Sequence, residues 1–272
     1  MRLRLSRSVV TIVAVVVVLA VAISVLLYNL LRKVEPFTTE AAGCTVKTPL
    51  GERALEVEQA QIAATIAAVA ARRRLPERAV VIAYATAIQE SKLYNLDYGD
   101  RDSLGVFQQR PSQGWGTRKQ IMDPVYATNR FFAELVKVKN YRKLPIEEAA
   151  QAVQRSAGGY AYADHEEDAR ILAAAFTGRV PRAVHCVYPP PATPSPTRSP
   201  ETERARRDLV RALGDTSVSS PRRGWLMAAW WVAHADKYGL RRVTFGGATW
   251  SAHPGTWTDS SGGAQGTDLA LS

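Results

Sequence analysis

The chain has 272 residues, 46% of them hydrophobic, enough for one large or two small domains. Lysine and arginine outnumber aspartate and glutamate 35 to 25, and this excess, spread along the chain, calls for acidic partners. Nucleic acid is not expected among them, because neither an aromatic-basic RNA motif nor a helix-turn-helix pattern occurs. The two cysteines, Cys44 and Cys186, lie too far apart for a ligand pair and no histidine spacing joins them, so neither a metal nor a cofactor is expected.

From the amino terminus, Val9 to Leu31 is apolar apart from Thr11, Ser24 and Asn29, which predicts one transmembrane helix. Arg2, Arg4 and Arg7 precede it, so the positive-inside bias puts the amino terminus in the cytoplasm. The reading is a single-pass cell-membrane protein with its C-terminal bulk extracytoplasmic. A cleaved signal peptide is the alternative, although no small-residue cleavage site precedes Glu35. The expected divisions are a stub and signal-anchor at 1–34, a domain at 35–186, a Pro/Ser/Thr-rich linker at 187–203, a small Trp-rich module at 204–257 and a disordered tail at 258–272. Outside the cell, Cys44 and Cys186 read as one disulfide joining the two ends of the domain at 35–186. Two free thiols are the other reading.

Residues 53–74 predict an amphipathic helix with Leu55, Ile62, Ile66 and Val69 on one stripe. Leu75-Pro76-Glu77 breaks it, and a second, buried helix runs from Pro76 to about Lys92. Residues 94–116, rich in Gly, Asp, Ser and Gln, predict loops with a short strand or hairpin near Leu104–Gln108. Asp123-Pro124 opens a helix through Val138, Pro145 opens another to about Ala157, and a last one covers His165–Phe176. After the linker, helices are expected at 203–213 and 224–238, followed by strands at 242–245 and around Trp250. Five of the six tryptophans, at 225, 230, 231, 250 and 257, fall in this last stretch.

The chemistry is concentrated at the end of the second helix. Glu90-Ser91 is followed by Gly105-Val106-Phe107-Gln108-Gln109-Arg110-Pro111. A carboxyl at that point is half in the core and half in a cleft, a setting that suits a general acid. The element resembles the signature of the soluble lytic transglycosylases and goose-type lysozymes: Glu-Ser, some dozen residues, then Gly-Leu-Met-Gln, two residues and Pro. The glycine, the first glutamine and the proline keep their relative places, and the resemblance covers roughly residues 50–176. The Ala/Arg/Val-rich composition suits an actinobacterial cell-envelope protein.

The resemblance implies a mainly α (α+β, lysozyme-like) extracytoplasmic domain, here between a transmembrane helix and a small α+β module. It implies cleavage of the MurNAc–GlcNAc bond of peptidoglycan by a single glutamate, with Glu90 as acid and then base, and the substrate's N-acetyl group in place of a second carboxylate. Ser91, Gly105, Gln108, Gln109, Trp115 and Tyr160 are the candidate substrate-binding residues. Asp97, Asp100 and Asp102 offer a carboxylate that a hydrolase would use to hold water; they lack the spacing of a calcium loop. Where the family shows Tyr-Asn-Ala-Gly, this chain has Arg155-Ser156-Ala157-Gly158 after Gln154. A cationic Arg155 beside Glu90 would oppose its action as an acid, and Tyr160 or Tyr162 is available to replace the lost phenol. The expected partners are peptidoglycan, the membrane through the N-terminal helix, and anionic wall polymers. The alternative is a non-catalytic peptidoglycan-binding or scaffolding protein with a degenerate cleft. A third reading is a membrane-surface adaptor whose Trp-rich end binds a protein.

Overall fold

A computed structural model describes residues 7–33, 41–154, 160–189, 201–260 and 270–272. It divides into two compact units, 1–40 and 41–272. The first contains helix α1 (Arg7–Lys33). Its described side chains, from Val15 to Asn29, are all exposed.

The second unit begins with an antiparallel hairpin, β1 (Gly43–Thr48) and β2 (Gly51–Leu55). Thr48 and Gly51 face each other across the turn, and Gly51 takes a φ of 144°. Helix α2 (Val57–Arg72) follows, buried almost all round because alanines fill most of its surface. Helix α3 (Glu77–Ser91) starts after Pro76 and is buried from Ala79 to Ala87. Short α4 (Arg118–Ile121) leads into α5 (Pro124–Leu135), where the Asp123 carboxylate accepts from the Val125 amide at 3.0 Å. Helix α6 (Ile146–Gln154), a 3-10 turn at Tyr160–His165 and α7 (Glu166–Phe176) then pack against α3. Strand β3 (Val184–Val187) returns to pair with β1, giving the sheet order β2-β1-β3. Cys44 and Cys186 are cross-strand partners and form a disulfide.

The C-terminal part comprises α8 (Thr202–Leu213), α9 (Pro221–Ala233), α10 (Ala235–Tyr238) and strands β4 (Arg242–Phe245), β5 (Ala248–Ser251), β6 (Trp257–Asp259) and β7 (Ala270–Leu271). The four strands form an antiparallel sheet of order β6-β5-β4-β7. Helix α9 packs along α2, so both ends of the unit share one buried cluster. The Trp250 indole donates to the Cys186 carbonyl at 3.2 Å, and the Trp257 indole to Val184 at 2.9 Å. The Tyr188 hydroxyl reaches the carbonyls of Val232 and Ala233 at 3.0 and 2.9 Å. Trp225, Trp230, Trp231 and Trp250 are buried and Trp257 half-buried, so the tryptophans serve the interior.

The expected fold class is corrected. The described residues are about 54% helix and 14% strand, with two small antiparallel sheets, where a transmembrane helix, a mainly α (α+β, lysozyme-like) domain and a small α+β module were expected. The hairpin near Leu104–Gln108 is reduced to an isolated bridge between Leu104 and Gln109. The first sheet forms instead at 43–55, where β2 takes residues 53–55 from the start of the expected helix, and at 184–187, which supplies the partner for β1. The transmembrane expectation is corrected as well: among the described residues no helix is long and apolar enough to cross a membrane. Most of the expected linker lies outside the described residues, as does 261–269 of the expected tail, whereas Thr258, Asp259 and Ala270–Leu271 belong to the second sheet.

The seam between α9 and β4 depends on a missing side chain. A Cβ on Gly224 would stand 2.0 Å from the Phe245 ring. Gly224→Ala is therefore expected to destabilise the fold by about 1–3 kcal/mol, seen as a lower urea midpoint with an unchanged slope.

Candidate active site

Glu90 lies one residue from the end of α3. The helix stops because Lys92 and Leu93 enter the left-handed region at φ 56° and 64°, and their amides bond back to Ile88 and Ala87. That reversal leaves the Glu90 side chain half-buried at the helix margin. The Tyr162 phenol, itself 2% exposed, donates to Glu90 Oε1 at 2.6 Å. One residue earlier on α3, Gln89 Oε1 lies 2.8 Å from His165 Nε2. Two side-chain contacts thus tie the 3-10 turn to the end of α3. Burial, followed by the nearby Lys92 charge, lowers the His165 pKa from its ordinary value.

Ser91 is buried, and its hydroxyl donates to the carbonyls of Ala87 at 3.1 Å and Val106 at 2.8 Å. It anchors the glycine turn to α3 through the backbone, where the resemblance has it among the substrate-binding residues. Gln154 Nε2 donates to the Phe107 carbonyl at 2.8 Å, pinning the same turn from α6. Phe107 stacks on Phe131 with centroids 4.5 Å apart, which fixes the turn against the core.

Gly105 has a φ of 75°, and a Cβ there would meet the Ile121 carbonyl at 2.9 Å, so the position needs glycine both for its conformation and for the close approach. Gln108 has a φ of 45°, and its amide nitrogen donates to Tyr98 O at 3.2 Å and Gly105 O at 3.3 Å. Its side chain organises the 98–105 loop. Gln109 is 1% exposed and donates to the Ala127 carbonyl at 3.1 Å, so it belongs to the core. Trp115 is also buried, at 6% exposure. Tyr98, by contrast, is 68% exposed on the loop that Gln108 holds. Tyr160 is described in its backbone alone, as the first residue of the 3-10 turn, and Arg155–Gly158 lie outside the described residues.

The structure therefore gathers Glu90, Ser91 and the glycine turn, adds Tyr162, and turns Gln109 and Trp115 inward. Tyr162 was legible only as one of two phenols able to stand in for the family tyrosine.

Of the three loop carboxylates, Asp102 is committed to structure. It accepts from Arg110 Nε at 2.7 Å, the Ser112 amide at 2.8 Å and the Ser112 hydroxyl at 3.0 Å. Arg110 first, and then Ser112, hold its pKa well below the ordinary carboxylate range. A depressed folded-state pKa means that the unfolded chain takes up the proton first. The contribution is therefore present above about pH 4 and lost as the pH falls toward the folded value. Protection of the Ser112 amide from hydrogen exchange, relative to an unfolded chain at the same pH, should fall as the pH approaches the folded value. Asp102→Asn should lower that protection already at neutral pH; equal protection in both proteins at every pH would contradict this. Asp97 and Asp100 are exposed, the latter 3.9 Å from its neighbour Arg101. Among the described residues no group of three or more His, Cys, Asp or Glu side chains is placed to hold a metal ion.

The arrangement is a single carboxyl with one oxygen fixed by a buried phenol, beside a rigid glycine turn. No known family matches the sequence, and no curated protein matches it either.

Proposed function

We propose that this protein cleaves peptidoglycan glycan strands at the MurNAc–GlcNAc bond by a single-glutamate, lytic transglycosylase-type reaction. The observation that carries this reading is the 2.6 Å bond from Tyr162 to Glu90 Oε1. Because the phenol donates to Oε1, the acidic proton resides on Oε2, and this oxygen passes it to the glycosidic oxygen as the C1–O bond breaks. The substrate's N-acetyl oxygen bonds to C1 and stabilises the developing cation. The carboxylate, held by the phenol, then takes the proton from the sugar's 6-hydroxyl. That oxygen closes onto C1, displaces the N-acetyl oxygen and leaves a 1,6-anhydro end. Asp102 is occupied by Arg110 and Ser112, which leaves exposed Asp97 and Asp100 as the loop carboxylates that hydrolysis would need. Exposed Tyr98 offers a ring face for a sugar.

The Cys44–Cys186 disulfide suits an extracytoplasmic location, where peptidoglycan and anionic wall polymers are the partners of a chain with this charge. The second reading, a non-catalytic peptidoglycan-binding or scaffolding protein, draws on the burial of Gln109 and Trp115 and on the loop bonds that occupy the Gln108 amide nitrogen. Digestion of purified peptidoglycan, with products read by mass spectrometry, separates the readings. Products one water lighter than hydrolytic muropeptides support the transglycosylase. Products of hydrolytic mass would indicate a lysozyme, and glycan binding without release would leave the scaffold.

A further inference from the structure

The turn that carries Tyr162 is held to α3 by a second side chain. Tyr160–His165 is a 3-10 turn, and in that geometry side chains three residues apart eclipse on one face. Tyr162 and His165 have this spacing, and both meet the last turn of α3, where Gln89 and Glu90 are consecutive. Tyr162 donates to Glu90 Oε1 at 2.6 Å, while His165 Nε2 lies 2.8 Å from Gln89 Oε1. An amide oxygen only accepts, so Nε2 carries the hydrogen. That oxygen accepts from a neutral or a charged imidazole alike, which makes the link a strut and not a pH switch. The start of α7 is fixed separately, because Glu166 accepts from Arg78 at 3.1 Å and from Arg170 at 2.9 Å. Losing the His165 bond would therefore free the turn without releasing α7.

We propose that His165 is a positioning residue for the Glu90–Tyr162 pair: its bond to Gln89 sets how the turn lies on α3, and so holds the phenol oxygen at Glu90 Oε1. A group that steers a reacting carboxyl has to be kept within about 0.5 Å of its working place by bonds outside the pair itself. The two contacts run side by side from one face of the turn to neighbouring residues of α3, so a shift that breaks one strains the other. Gln89 and His165 take no part in the bond cleavage; they act through Tyr162. The effect on rate rests on the single-glutamate reading, whereas the effect on the phenol can be observed with no substrate present.

The test follows the Tyr162 hydroxyl proton by NMR in the full chain carrying ring-¹³C tyrosine, assigned with Tyr162→Phe. The wild type should show a downfield, slowly exchanging proton. His165→Leu should speed its exchange by roughly tenfold, the loss of one hydrogen bond. Gln89→Leu removes the same bond from the other side and should do the same, so the test survives if one variant fails to fold. The double variant should add little to either. His165→Gln, which keeps an N–H for Gln89, should restore most of the protection. In peptidoglycan digestion, His165→Leu should lower kcat by about 3- to 10-fold with KM unchanged, and should cost little more in a Tyr162→Phe background. If the wild type releases no glycan, the cleavage reading fails and the hydroxyl proton alone decides this one. A freely exchanging wild-type proton would overturn the assignment, as would unchanged exchange in both leucine variants. Equal loss in His165→Gln, or a full rate effect without the phenol, would overturn it too.

Discussion

Replacing Glu90 with glutamine should reduce release of anhydro-muropeptides by about 10²- to 10⁴-fold, the usual contribution of a positioned acid–base group. The amide keeps the shape of the side chain and can still accept from Tyr162, so α3, the 3-10 turn and the glycine loop should stay in place. An unchanged melting temperature and retained glycan binding are the accompanying expectations. Tyr162→Phe should act in the same direction but less strongly. It removes one hydrogen bond to a carboxylate, about 1.5–3 kcal/mol, or roughly 10- to 150-fold if the whole of it is expressed in the transition state. The order of effects discriminates, because a phenol that merely fills space would leave the rate untouched. Wild-type release by Glu90→Gln would remove the proposed chemistry and put the cleavage on another group.

The second large effect concerns stability. The disulfide closes a loop of 142 residues between β1 and β3, and the chain-entropy argument gives about 5 kcal/mol for a loop of that length. The bond also sits where several anchors meet: Cys44 and Cys186 are paired strand residues, and the Cys186 carbonyl accepts the Trp250 indole. A Cys44→Ser, Cys186→Ser double variant should lose most of that amount in urea denaturation, and reduction of the wild-type protein should reproduce the loss. A change below about 1 kcal/mol would show that β1–β3 pairing and the tryptophan contacts alone hold the ends together.

Much of the helical framework was legible because its signals are local. Pro76 before α3 and Asp123-Pro124 before α5 act within one turn of the helices they start. The hairpin of β1 and β2 was not legible. Leu55 falls on the apolar stripe of the following helix, yet it is the last residue of β2 and pairs with Cys44. A four- or five-residue strand carries too little periodicity to compete with the sixteen-residue helix beside it. A similar ambiguity affected α9, expected to continue to Tyr238. The helix breaks at His234, whose ring is held by the Trp230 carbonyl.

By itself the sequence determined the position of Glu90 at a helix margin and the glycine that follows it. Both are properties of neighbouring residues: an apolar run that ends, and a turn that needs a positive φ. The tertiary structure alone decided which phenol meets the carboxylate, since Tyr162 and Glu90 are 72 residues apart and meet because α3 packs against the 3-10 turn. It also decided that Gln109 and Trp115 turn inward and that the tryptophans at the C-terminal end pack against β3 and α2. A side chain's partner across the fold depends on which surfaces bury each other, and that choice is made by the whole core at once.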